Sequence, residues 1–239
     1  MKVSSWLIIM TLLVTCSVLP PYTFALTVGQ IDTFEDSTTQ GWLVPGTSLN
    51  PPANEPNGGP AGAGDAYLKL VAIGGTGAGS RLSVLNESQW TGNYLASGIT
   101  LIQMDVNNFG PEDLFLRLLF EDLPAVPGSP PVNLALSADP VVVPANSGWM
   151  TIYFSIAPAD LVIETFGTVI GALSDTDTLR IFHNPDSAFP GPGAGIPTVT
   201  VTLGVDNIIA AVPEPTTMIL LGSGLMGLAG YGRKKFFKK

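Results

Sequence analysis

Three stretches that alternate apolar and polar residues constrain this chain more than any other feature. In "ITLIQMDVN" (99–107), Ile102, Met104 and Val106 alternate with Gln103, Asp105 and Asn107. "WMTIYFSI" (149–156) sets Met150, Ile152, Phe154 and Ile156 against Trp149, Thr151, Tyr153 and Ser155, and "PTVTVTLG" (197–204) sets Val199, Val201 and Leu203 against threonines. Successive side chains of a strand point to opposite faces, so a period of two describes strands with one face in a core and the other in solvent. Segments 67–73, 81–85, 114–120, 132–137 and 178–183 are further strand candidates, and none of these runs has a helical period. Eight or more strands predict an all-β fold, an antiparallel β-sandwich of jelly-roll type. The Pro- and Gly-rich stretches 45–65, 122–131 and 184–197 are expected to be surface loops. "GGTGAGS" (74–80) reads as a flexible turn, because it lacks the lysine of a phosphate loop.

With 239 residues, 46% of them hydrophobic, the chain can bury one substantial core. Residues 26–212 hold four basic side chains (Lys69, Arg81, Arg117 and Arg180) and eighteen acidic ones, a net charge of −14 that disfavours nucleic acid as a partner. Catalytic chemistry finds little support. His183 is the sole histidine and no G-x-S-x-G elbow accompanies it, so it reads as structural. Glycoside hydrolysis needs two carboxylates across a cleft. The pairs Glu112-Asp113 and Glu121-Asp122 bracket "LFLRLLF" and read first as solvated turns, which leaves a hydrolase as the remote alternative. "DTDT" (175–178) opens like a calcium loop, but Leu179 and Arg180 stand where a ligand and a glycine are needed, so it is expected to be a turn.

The N-terminus has the form of a secretory signal peptide: Lys2, an apolar run over 6–19, Pro20-Pro21, and small residues leading to a cut after Ala25. The one cysteine, Cys16, lies inside that segment. "LVTC" nearly spells a lipid-attachment box, but Thr15 is unusual before such a cut. Cleavage after Ala25 leaves a body without disulfides or thiolate chemistry.

Five of the ten basic residues, Arg233, Lys234, Lys235, Lys238 and Lys239, fall in the last seven positions, after an uncharged run over 216–231. At about 1.5 Å per residue that run spans roughly 24 Å as a helix, against a hydrocarbon core of about 30 Å. It reads as a single short transmembrane helix whose basic end stays cytoplasmic. Its "GSGLMG" matches G-x-G-x-x-G but follows no strand, so it carries no dinucleotide reading. Pro213-Glu214-Pro215, the short apolar segment and the basic terminus together resemble the PEP-CTERM sorting signal of exopolysaccharide-producing Gram-negative bacteria. The resemblance implies recognition by exosortase, a membrane-embedded transpeptidase-like enzyme, with cleavage near the motif and delivery to the cell surface or extracellular matrix. A retained membrane anchor is the alternative. The chain thus divides into a signal peptide (1–25), a β-sandwich domain (26–212) and a sorting segment (213–239).

"DTFEDSTTQGW" (32–42) and "GVDNIIA" (204–210) are similar to the opening and closing strands of galactose-binding-like jelly rolls, a group that includes many carbohydrate-binding modules. That resemblance implies a structural calcium held by Glu35 and Asp206; otherwise the two are ordinary strand-end carboxylates. No other cofactor is required. Two functions remain: a non-enzymatic surface or matrix protein associated with exopolysaccharide, and a lectin-like module whose aromatic rings stack on sugars beside orienting polar groups. The side chains to inspect for the second are Trp90, Tyr94, Arg117, Trp149 and Tyr153, each of which could instead be structural.

Overall fold

The structure, a computed structural model, describes residues 26–212 except 45, 47, 78 and 190–196. The segments expected to be a signal peptide (1–25) and a transmembrane helix (216–231), the sorting motif Pro213-Glu214-Pro215 and the basic terminus lie outside the described residues. Among the described residues no helix is long and apolar enough to cross a membrane.

The strands form two antiparallel sheets packed face to face, the sandwich that the alternation predicts. The first sheet has the order β10 (Trp149–Ser155), β6 (Leu101–Asn108), β13 (Thr200–Ala211), β4 (Tyr67–Ile73), β3 (Ala53–Glu55). β1 (Ile31–Asp32) continues the β4 side of β13 towards its C-terminal end. The second has the order β11 (Leu161–Ile163), β8 (Asn133–Ser137), β7 (Leu114–Asp122), β12 (Thr178–His183), β5 (Ser83–Asn86), β2 (Trp42–Leu43), with β9 (Val141–Val143) against the start of β7. Among the described residues two short α-helices, α1 (Tyr94–Ser97) and α2 (Val169–Ser174), and a 3-10 turn at Pro158–Asp160 accompany them. Gly98 ends α1 at φ 72°, a left-handed conformation that glycine adopts without a Cβ penalty.

The core is built by the predicted apolar faces. Leu68 and Leu70 of β4, Ile102, Met104 and Val106 of β6, and Ile152 and Phe154 of β10 face Leu116, Leu118 and Phe120 of β7 and Leu179 and Ile181 of β12 in one continuous cluster. The segments "PTVTVTLG" and "GVDNIIA" belong to one long strand, β13. A bulge lies between Asp206 and Ile209, where Asn207 has φ 47°. The extra residue switches the inward phase from Val201, Leu203 and Val205 to Ile208 and Ala210, so both halves still feed the same core.

The outer face of the second sheet is covered as well. Leu119, Leu134, Leu136 and Phe182 form a satellite cluster under Val162 and Phe189. The chain after β12 is strapped onto this face by Arg117, whose Nε and Nη2 donate to the carbonyls of Asn184 and Pro185. The guanidinium of Arg180 lies 4.9 Å from the Phe189 ring centre and is ion-paired with Glu121 at 2.7 Å. Segments 45–65 and 184–197 are therefore more than surface excursions: the first contributes β3, and the second includes this strap.

Candidate functional site

The outward face of the first sheet gathers the polar half of the predicted alternation. β10 and β6 pair Trp149 with Asn107, Thr151 with Asp105 and Tyr153 with Gln103, and β13 continues two of those rows with Gly204 and Asp206. Tyr153 is 55% exposed and stands beside half-buried Gln103. Thr151 Oγ1 donates to Asp105 Oδ1 at 2.6 Å, and Asn207 Nδ2 donates to Asp105 Oδ2 at 2.9 Å, which holds the carboxylate from both sides.

At one end of this face lies an aromatic cluster. Trp149 meets Tyr67 edge-on at 5.2 Å between ring centres and Phe109 at 6.4 Å. Its indole lies over Gly204, and its Nε1 donates to the carbonyl of Gly58 at 2.9 Å. Trp149 is thus half-buried and locked, whereas Tyr153 is free to meet a ligand.

The other three sugar-contact candidates are committed elsewhere, and burial corrects the expectation for each. Trp90 is wholly buried and donates through Nε1 to Asp32 Oδ2 at 2.7 Å. Trp42 donates to the same oxygen at 2.8 Å. Burial raises the Asp32 pKa, with the indole and Gln89 hydrogen bonds opposing that shift. Tyr94 is also wholly buried: its hydroxyl donates to the Trp90 carbonyl, and its ring meets Phe120 edge-on. Arg117 is buried beneath the strap, where it also donates to the carbonyls of Ser137 and Ala138. None of the three offers a surface to a saccharide.

Glu35 and Asp206 meet through charge. Asp206 is buried on β13, and its pKa is raised to about 7, first by burial and then by the negative charges of Asp65, Asp105 and Glu35; the hydrogen bond from the Asn207 N–H opposes this. Asp206 and Asp105 are direct cross-strand partners, an arrangement of like charges that costs stability unless something neutral or positive intervenes. Calcium asks for six to eight oxygen ligands. Here Glu35 Oε1 accepts from the Ala66 N–H at 2.9 Å and Asp206 Oδ1 from the Asn207 N–H at 2.7 Å. Among the described residues no group of three or more His, Cys, Asp or Glu is set to hold a metal ion.

His183 accepts the Phe115 N–H at Nδ1, 3.0 Å away, and burial lowers its pKa. Of the acidic pairs, Glu121 is bound to Arg180 and Asp122 accepts from Asn133. Asp175 caps α2, Thr176 pairs with Gly92, Asp177 accepts from the Leu123 N–H and Thr178 opens β12, so "DTDT" is the connection from α2 to β12 and not the turn expected. The residues that sequence reasoning missed at the face are Gln103, Asp105 and Asn207. The antiparallel pairing of two strands already read as alternating would have placed the first two beside Tyr153 and Thr151.

The family described as PEP-CTERM protein-sorting motif (PEP_exosort_dom) matches residues 211–234, so the chain carries that sorting motif. No curated protein sequence matches the chain. Among solved structures, the chain is similar to the family 11 carbohydrate-binding module from Clostridium thermocellum in complex with a β-1,3-1,4-mixed-linked tetrasaccharide. The identity is 15%, over 78% of this chain and 98% of that one, with a TM-score of 0.48. It is also similar to the N-terminal cellulose-binding domain of Cellulomonas fimi β-1,4-glucanase C, at 10% identity over 80% and 99% of the two chains and a TM-score of 0.40. An exo-β-agarase gives 12% identity over 77% of this chain but only 25% of its own, with a TM-score of 0.49. None of these likenesses assigns a role to a residue here.

Proposed function

We propose that this is an exported, non-enzymatic protein of the cell surface or extracellular matrix, delivered through its C-terminal sorting motif by exosortase and associated there with exopolysaccharide. The observation that carries the reading is the motif itself, matched at 211–234 and joined directly to β13, which ends at Ala211. The precursor is held in the bacterial membrane by its apolar tail until processing. The net charge of −14 over 26–212 keeps nucleic acid away from the body. Deleting residues 213–239 tests the delivery: the truncated protein is exported but no longer found at the surface, and unchanged surface display would refute the reading.

A second reading, a lectin-like module, is supported by the exposed Tyr153 ring with Gln103 beside it and the Thr151–Asp105 pair one row away. An aromatic platform flanked by oriented hydrogen-bonding groups on a rigid sheet suits a saccharide. Glycan-array binding of the surface-recovered protein separates the two. Saturable binding to a narrow set of saccharides, lost in Tyr153→Ala while the melting temperature holds, supports the lectin; weak contacts that disappear as salt is raised support the matrix protein.

A further inference from the structure

The two ends of the sandwich leave it side by side. The Gly29 N–H donates to the Ala210 carbonyl at 2.7 Å, the Ala210 N–H donates to Gln30, and Ile31 pairs with Ile209. α1 closes the same corner: Ser97 Oγ donates to the Leu26 carbonyl and the Thr100 N–H to the Ala211 carbonyl. The three segments that meet here, 26–31, 91–104 and 207–212, contain no charged residue, although residues 26–212 carry twenty-two. The nearest exposed charges, Asp175 and Asp177, stand at the rim, on either side of Thr176, which pairs with Gly92. They expose apolar side chains instead, with Val28 49%, Leu95 38% and Val212 44% accessible.

From this juxtaposition we propose that the uncharged corner formed by residues 26–31, α1 and the end of β13 rests on the lipid bilayer while the tail is inserted. This rests on the membrane anchoring proposed above. The apolar run begins at Thr216, five residues beyond Ala211. At no more than about 3.6 Å per residue the connection reaches about 18 Å, and the headgroup layer takes up roughly 5–7 Å of it. A run of about 24 Å is also short for the hydrocarbon core, and such mismatch draws flanking residues inward. The body therefore has little freedom to stand away from the surface. Its net charge of −14 would be repelled by anionic lipid, which favours turning these three uncharged segments to the membrane, with Asp175 and Asp177 at the rim. The segment following the signal peptide starts from the same corner, so a precursor with both apolar ends in one membrane needs no rearrangement of the sandwich.

The test uses the full chain with Cys16→Ser, in which Val28→Cys, Leu95→Cys or Glu112→Cys carries a polarity-sensitive fluorophore. Glu112 is exposed beyond the far end of β6, about 25 Å along the strand from Leu101. In phosphatidylcholine–phosphatidylglycerol vesicles containing a spin-labelled lipid, positions 28 and 95 should be quenched severalfold more than position 112. Ten Gly/Ser residues inserted between Val212 and Pro213 should bring Leu95 down towards the Glu112 level. Equal quenching at positions 95 and 112 in protein that floats with the vesicles would overturn this orientation alone. Failure of the full chain to float would overturn the anchoring itself and this proposal with it.

Discussion

The indole of Trp149 lies against the backbone of Gly204: a Cβ at that glycine would stand 2.8 Å from the ring's Cη2. No real side chain fits there unless the ring moves, and the ring is held by Tyr67, Phe109 and the Gly58 carbonyl. Gly204→Val is therefore expected to destabilise the fold by about 1–3 kcal/mol, the usual cost of overpacking. In a Trp149→Ala background most of that cost should vanish, and a double-mutant cycle from urea melts measures it. Additive effects would show that the contact is not what makes glycine necessary.

Asp32 is the shared acceptor of two buried indoles. Asp32→Ala removes the partner of Trp42 and Trp90 at once and leaves two buried N–H groups unsatisfied, at about 1–3 kcal/mol each. A lowered melting temperature with altered tryptophan emission is the expected result. Unchanged stability would mean that water or another acceptor replaces the carboxylate.

Arg117 is expected to behave as a strap and not as a sugar contact. Arg117→Ala strips donors from the carbonyls of Ser137, Ala138, Asn184 and Pro185, and Arg117→Lys cannot reproduce the fork. Both variants should lose stability, and limited proteolysis should cut first within 184–197. Wild-type stability with weakened glycan binding would reverse this assignment.

The pH dependence of stability should reveal Asp206. Its folded pKa, raised to about 7, lies above the unfolded aspartate value, so its contribution is fully present below the unfolded pKa and is lost as pH rises through about 7. Asp32, also raised, acts in the same direction, while His183, lowered, acts in the opposite one. Asp206→Asn isolates the effect: in chelator the variant should match wild type near pH 4 and exceed it at pH 8. Calcium at a hundred times its dissociation constant would add about 2.7 kcal/mol and flatten the wild-type slope. Identical pH profiles for the two proteins would remove Asp206 as the titrating group, and a wild-type melt indifferent to chelation would remove the metal.

The strands whose period was legible in the sequence are those with one face in the core and the other in water. β6 and β10 alternate because one face packs on the core and the other faces water, and their inward residues are the expected ones. β1, β2, β3, β9 and β11 have only two or three residues each, too few to show a period. α1 and α2 are as cryptic, and only their caps Asn93 and Thr168 mark them. In β7 the alternation fails because Phe189 and its neighbours bury the outer face too, so "LFLRLLF" is apolar on both sides of Arg117. At the candidate site, Trp149 and Tyr153 could be placed on a polar face from their own strand. Trp90 could not be recognised as buried, because its partner, Asp32, is 58 residues away.

Delivery is the centre of this account, and the C-terminus of the protein at its destination tests it most directly. Intact-mass spectrometry of protein recovered from the cell surface should find a chain that lacks the basic residues 233–239 and ends near Pro213 to Pro215, at the motif matched over 211–234. Surface protein still ending at Lys239 would contradict processing and leave a retained membrane anchor in its place.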